Sequence, residues 1–210
     1  MDKLTTAGLN GSAPVVFASN LLAIIVPKGN PAGITGVADL AKPDVKVVVC
    51  APEVPCGKYA SQVFDAAKIT VTPVSQEQNV KGVVTKVISG EADAGIVYIT
   101  DVMAASDKAE VVTIPNDINV VAKYPIASVK ASTHADVDQA FIEFVLGPDG
   151  QQILAKYGFM VEEGVDHLPV VDAGVLVGIC TRTDILRARI TQQDQERGEA
   201  GWLTRRRAPL

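Results

Sequence analysis

An α/β fold with a mostly parallel, helix-covered sheet is predicted by three features of the chain. Its apolar residues are chiefly Val, Ala and Ile, and aromatics make up only 5%, a mixture that suits strands buried on both faces. Short continuous apolar runs such as LLAIIV (21–26) and AGIVYIT (94–100) stop at turn or polar residues, as buried strands do. Helical patterns separate these runs, and strands alternating with helices imply right-handed crossovers between parallel neighbours.

Each element follows from its own residues. LLAIIV ends at PKGNPAG and reads as a strand closing in a turn. A brief helix is expected around Val37–Leu40, then a Lys-Pro break and the strand Val45–Cys50. The loop CAPEVPCG (50–57) leads into a helix over 57–68, and ITVTPVS (69–75) reads as a strand. In QNVKGVVTKVISG (78–90), Val80, Val83, Val84, Val87 and Ile88 fall on one helical face, Asn79 can cap the start and Gly90 the end. A helix opens near Asp101 after AGIVYIT, followed by the strand Val111–Pro115. INVVAKYPIASVK (118–130) is extended, and Pro125 confines it to an edge or a crossing point. Helices are expected at Ala135–Leu146, with Thr133 as cap, and at Pro148–Tyr157, where proline suits the first turn. Beyond Gly158, residues 165–190 read as a self-contained strand, turn, strand and helix, and 191–210 as a polar, solvated tail.

Composition narrows the function. The 210 residues, 48% hydrophobic and 20% charged, suffice for one large domain or two small ones. A net charge of −5 argues against nucleic acid as the partner, but leaves a small anion open, because local dipoles can outvote net charge. No apolar run approaches the roughly 18 residues of a membrane span. The opening MDKLTTAGLN lacks the basic-then-apolar pattern of a secretory signal, so the chain as written is expected in the cytoplasm. Cysteine usage points the other way. Cys50 and Cys56 are close enough to bridge one loop, which an oxidising compartment would favour, though they also suit two small buried hydrophobes. No metal is expected, since His134 and His167 lack ligand-like spacing.

Open α/β sheets bind ligands beyond the carboxyl ends of their strands, where helices begin and unpaired amides point outward. Three such places stand out: the Cys56-Gly57 loop, the helix start at Asn79-Val80, and the strand end at Tyr98–Asp101. Together they would offer a small anion two helix dipoles and a hydroxyl. Read blandly, they are ordinary turns beside a packed tyrosine. No Ser-His-Asp, Cys-His or paired-carboxylate arrangement has supporting context, so no enzyme is expected. The one catalytic alternative, Cys56 as a thiolate nucleophile at a helix start, requires a free thiol.

The stretches FASNLLAIIVPKGNP (17–31), DVKVVVCAPEVPCGKYA (44–60), NVKGVVTKVISGEADAGIVYITD (79–101), YPIASV (124–129) and FVLGPDGQQILAKYGF (144–159) resemble the substrate-binding protein of the molybdate ABC importer. The resemblance runs in order over roughly residues 1–160. It implies a two-lobed periplasmic binding fold of type II, with one complete lobe at 20–124 and a partial first lobe from 1–19 and 125–160. The implied ligand is molybdate or tungstate, held by hydrogen bonds alone and without a cofactor. The implied partner is the membrane permease of an ABC importer, and the implied location is the periplasm. Matched position by position, Cys56 and Val80 would supply backbone N–H groups and Tyr98 its hydroxyl, while a Cys50–Cys56 bridge would staple the ligand loop. The family's opening βαβα unit, with its two serine-bearing loops, has no counterpart ahead of MDKLTTAGL, so weak binding is expected.

HLPVVDAGVLVGICTRTDIL (167–186) resembles instead the second half of a cystathionine-β-synthase (CBS) domain, predicting a partial ββα unit at 161–190. There Thr181 and Asp184 would face the phosphate and ribose of an adenosine nucleotide. A nucleotide-sensing regulatory protein is therefore the alternative function.

Overall fold

The computed structural model describes residues 1–161, 168–172 and 175–180. Helix α1 (Asp2–Thr6) leads to the long strand β1 (Val15–Pro27) and a 3-10 turn at Val37–Ala41. There follow β2 (Val47–Cys50), α2 (Pro55–Ala67), β3 (Ser75–Glu77), α3 (Val80–Ile88), β4 (Ala94–Tyr98), α4 (Ile99–Ala104) and β5 (Ala109–Thr113). Strand β6 (Val121–Ile126) precedes α5 (Ala135–Leu146) and α6 (Pro148–Lys156), and a hairpin of β7 (Leu168–Asp172) and β8 (Val175–Cys180) completes the described chain.

The main sheet has the order β3-β2-β4-β1-β5, with β6 also pairing to β1. The expected parallel arrangement holds only in part. Strand β2 is parallel to β3 and β4, whereas β1 is antiparallel to β4, β5 and β6. Five strands thus run one way and β1 alone opposes them. The helices do make crossovers between co-directional strands, but β1 comes before the alternating series and inserts itself between β4 and β5.

Alternation along β1 explains why its apolar run is unbroken. Leu22, Ile24 and Val26 face one layer with Val47, Val49, Ala60, Val63 and Ile96. Ala23 and Ile25 face the other with Val48, Val83, Val87, Val97 and Val102. Both faces of the sheet are dry, so neither set of alternate positions can be polar.

Three local expectations are corrected. The strand at 69–75 is confined to Ser75–Glu77, because Pro73 has no N–H for a ladder, while Ile69 and Val71 pack beneath α2. Strand β1 begins six residues before Leu21, since its first half pairs with β6 from Val15↔Ile126 to Leu21↔Val121. Thr133 does not cap α5: His134 occupies the cap position, and its N–H donates to Ser132 Oγ. At α3, by contrast, the Asn79 side chain accepts from the Gly82 N–H at 3.0 Å.

Where β1 passes from β6 to β4 and β5, side chains take over the hydrogen bonding. Asn119 accepts from the Leu22 N–H and donates to the Leu22 carbonyl, and buried Asn20 donates to Thr100 Oγ1. The lobe boundaries expected at 19/20 and 124/125 fall inside β1 and β6, where Ser19 pairs with Lys123 and Ala18 with Tyr124.

Candidate functional site

Strands β2, β3 and β4 run in one direction, so their carboxyl ends share one edge of the sheet, and α2, α3 and α4 all begin there. A cavity of about 490 Å³ opens at that edge. Cys56, Val80 and Tyr98 all line it. The three sequence-selected positions, spread over 42 residues of chain, are thereby brought together.

The α2 side is built from a tight turn. Pro55 occupies the first helical position and has no N–H, so Cys56 carries the helix's first amide, which no described residue accepts. The loop is held at both ends: the Ala51 N–H donates to the Glu77 carbonyl and the Val54 N–H to that of Ala51. A disulfide joins Cys50, the last residue of β2, to Cys56, with their Cα atoms 5.7 Å apart. Both cysteines are buried, and the bond removes the free thiol on which the nucleophile reading of Cys56 depended. Gly57 lies so close to the Ala51 carbonyl that a Cβ there would collide with it.

On the α3 side, Asn79 satisfies the third amide of the helix and leaves those of Val80 and Lys81 directed outward from the first turn. Tyr98 ends β4, and its own N–H donates to Asp101 Oδ2 at 3.0 Å. Burial pushes the Tyr98 phenol well above its usual range, and neighbouring Tyr124, Tyr59 and Asp101 add to the shift. Its hydroxyl therefore stays a neutral donor at any physiological pH. Burial likewise raises the Asp101 carboxyl, opposed by the Tyr98 N–H and by Lys81.

Tyr59, Gln78, Lys123 and Tyr124 also line the cavity, and sequence reasoning did not select them. Tyr59 was within reach: three residues after Cys56, it shares that residue's helical face. Lys123 and Tyr124 carry no local signal, because β6 reaches the cavity only through its pairing with β1. The nucleotide-facing candidates Thr181 and Asp184 lie outside the described residues.

The family model for the bacterial extracellular solute-binding protein matches residues 1–160. The chain belongs to that family.

A CBS domain model matches residues 157–191. Among curated proteins, the chain is similar to the molybdate-binding protein ModA of Mycobacterium tuberculosis, 40% identical over 159 residues, covering 76% of this chain and 61% of that protein. It is also similar to ModA of Escherichia coli, 33% identical over 121 residues, with coverage of 56% and 47%. The chain thus spans about three-fifths or less of the length of these relatives. Among solved structures, a substrate binding domain from Clostridium difficile assigned to a molybdenum ABC transporter superposes with a TM-score of 0.62 at 31% identity, covering 78% of this chain and 73% of that one. The sulfate-binding protein SubI of M. tuberculosis, at 19% identity and a TM-score of 0.64, shares the fold over 78% of this chain and 66% of its own. No helix among the described residues is long and apolar enough to cross a membrane.

Proposed function

We propose that this solute-binding protein takes up a tetrahedral oxyanion, molybdate or tungstate, through the Cys56 and Val80 amides and the Tyr98 hydroxyl, and delivers it to the membrane permease of an ABC importer. The observation that carries the reading is the convergence of two helix starts and one phenol on a single cavity. Orphan amides at a helix N-terminus suit an anion because they supply both hydrogen bonds and a favourable dipole. The relatives named for molybdate binding support the choice of anion. The disulfide suits action outside the cytoplasm, in keeping with an extracellular solute-binding family. Each hydrogen bond to a charged group contributes about 1.5–3 kcal/mol, so the loss of a single donor is measurable.

Isothermal calorimetry of the oxidised chain against molybdate, tungstate and sulfate tests the proposal. Measurable heat with molybdate, weakened about tenfold in Tyr98→Phe, supports it. Binding unaffected by loss of the hydroxyl would move the site elsewhere. The CBS match at 157–191 favours a second reading, adenosine-nucleotide sensing through Thr181 and Asp184. Heat with AMP and none with any oxyanion would establish that reading instead.

A further inference from the structure

We infer that Tyr124 supplies a second phenolic hydroxyl to the ligand, beside that of Tyr98. This inference rests on the oxyanion reading above. Strand β1 carries the partners of both tyrosines: Leu22 pairs with Tyr98 of β4, while Asn20 pairs with Ala122 and Ala18 with Tyr124 of β6. Ala18, Asn20 and Leu22 are alternate residues of one strand, so they and their partners project from the same face. Tyr98, Ala122 and Tyr124 accordingly all line the cavity. Between the two tyrosines that face holds Asn20 and Ala122, both buried.

The Tyr124 ring is held from two sides. It meets Phe159 edge-on with ring centroids 5.5 Å apart, and Phe17 at 6.3 Å, contacts that fix the plane of the ring. Asn20 then directs the hydroxyl. Its Oδ1 accepts from the Leu21 N–H and its Nδ2 donates to Thr100 Oγ1 at 2.9 Å, which leaves that amide a second hydrogen to give. Burial raises the Tyr124 phenol, and Asn20, its hydrogen-bond partner, works against the rise, as a donor to the phenol oxygen does. An oxygen that accepts from Asn20 keeps its own proton to donate. Tyr124 also adds to the upward shift of Tyr98, so the two hydroxyls lie within electrostatic reach of each other. Two protonated phenols on one face donate to two oxygens of a single tetrahedral anion, and a ligand held by both joins β4 to β6.

The test uses the oxidised full chain, isotope-labelled at the tyrosine Cζ and titrated with molybdate by calorimetry and NMR. The four tyrosines give separate ring signals, assigned from single Tyr→Phe variants. Molybdate is expected to move the Tyr98 and Tyr124 signals and to leave that of Tyr157, which is exposed just after α6. Tyr124→Phe keeps the ring and its aromatic contacts, so it should weaken molybdate roughly tenfold at an unchanged thermal midpoint, whereas Tyr157→Phe matches the parent. If Tyr124→Phe binds within twofold of Tyr157→Phe while Tyr98→Phe is impaired, the inference about Tyr124 is overturned and the site stands. If affinity falls but the parent's Tyr124 signal stays still during the titration, the hydroxyl serves the fold and the inference is likewise overturned. Should Tyr124→Phe lose its midpoint, the parent's Tyr124 signal decides alone: movement in step with Tyr98 supports the inference, and stillness sinks it. If the parent chain binds no oxyanion, both readings fall together.

Discussion

Removing one oxygen from Tyr98 separates two roles that the residue combines. Its ring packs against both layers of the core, and the residue also lines the cavity, where its hydroxyl is the proposed donor. Tyr98→Phe is therefore expected to keep the parent's unfolding midpoint in urea while losing anion affinity. Gly57→Ala should do the reverse of a clean deletion. Its Cβ meets the Ala51 carbonyl, so the loop must open, costing about 1–3 kcal/mol of stability and displacing the Cys56 amide; chemical denaturation with parallel calorimetry reads both effects. Asp39 gives a pH-dependent case. Lys42 Nζ at 2.7 Å, together with the Thr35 N–H and hydroxyl, holds its carboxyl well below the usual range. A depressed folded value means that the contribution is fully present above the unfolded value near pH 4 and is lost as pH falls toward the folded one. The stability gap between the parent and Asp39→Asn should thus be smaller at pH 3 than at pH 7, as urea titrations at the two pH values would show.

At the scale of elements, the unit from β2 to α2 is the part most specialised for a ligand. The Cys50–Cys56 bond closes a short loop whose last residue, Cys56, lines the cavity, and loop-closure entropy alone credits it with about 2 kcal/mol. Reduction should lower stability by that amount and weaken anion binding as well, because the freed loop no longer holds its amide in place. If reduced and oxidised chains bind equally, the staple supports the fold only. Part of this unit was legible beforehand: two cysteines around one loop that leads into a helix, although the helix expected over 57–68 opens two residues earlier, at Pro55. Strand β3 was not, because Ile69 and Val71 alternate with exposed threonines as strand residues do, while packing half-buried against the layer that holds α2. Periodicity reports burial, and a half-buried loop imitates a strand.

Across the whole molecule, one strand holds the parts together. β1 pairs with β6 in its first half and with β4 and β5 in its second, and the end of the solute-binding segment returns to its middle, where Ser19 and Met160 exchange two backbone hydrogen bonds. Phe17, Tyr124 and Phe159 stack around that junction, and buried Gln151 donates to the Phe17 and Val145 carbonyls. Phe159→Ala should cost about 1–2 kcal/mol in chemical denaturation by loosening α5 and α6 from the sheet. Those helices also present Val137, Phe141, Phe144 and Ile153 to solvent, and Tyr157 follows just after α6, each at least half exposed. Their periodicity was readable, but what lies against them was not.

The sequence by itself determined the α/β class, the order of elements, the family resemblance over residues 1–160 and the three positions that could face an anion. Each of these rests on local signals: caps, breaks, apolar period and motif. Tertiary structure alone decided that β1 runs against its neighbours, that Cys56, Val80 and Tyr98 share one cavity, and that Lys123 and Tyr124 stand beside them. These depend on pairings between residues roughly a hundred apart, such as Ser19 with Lys123. Strand direction and register are set by which faces can be buried together, and no stretch read alone contains that information.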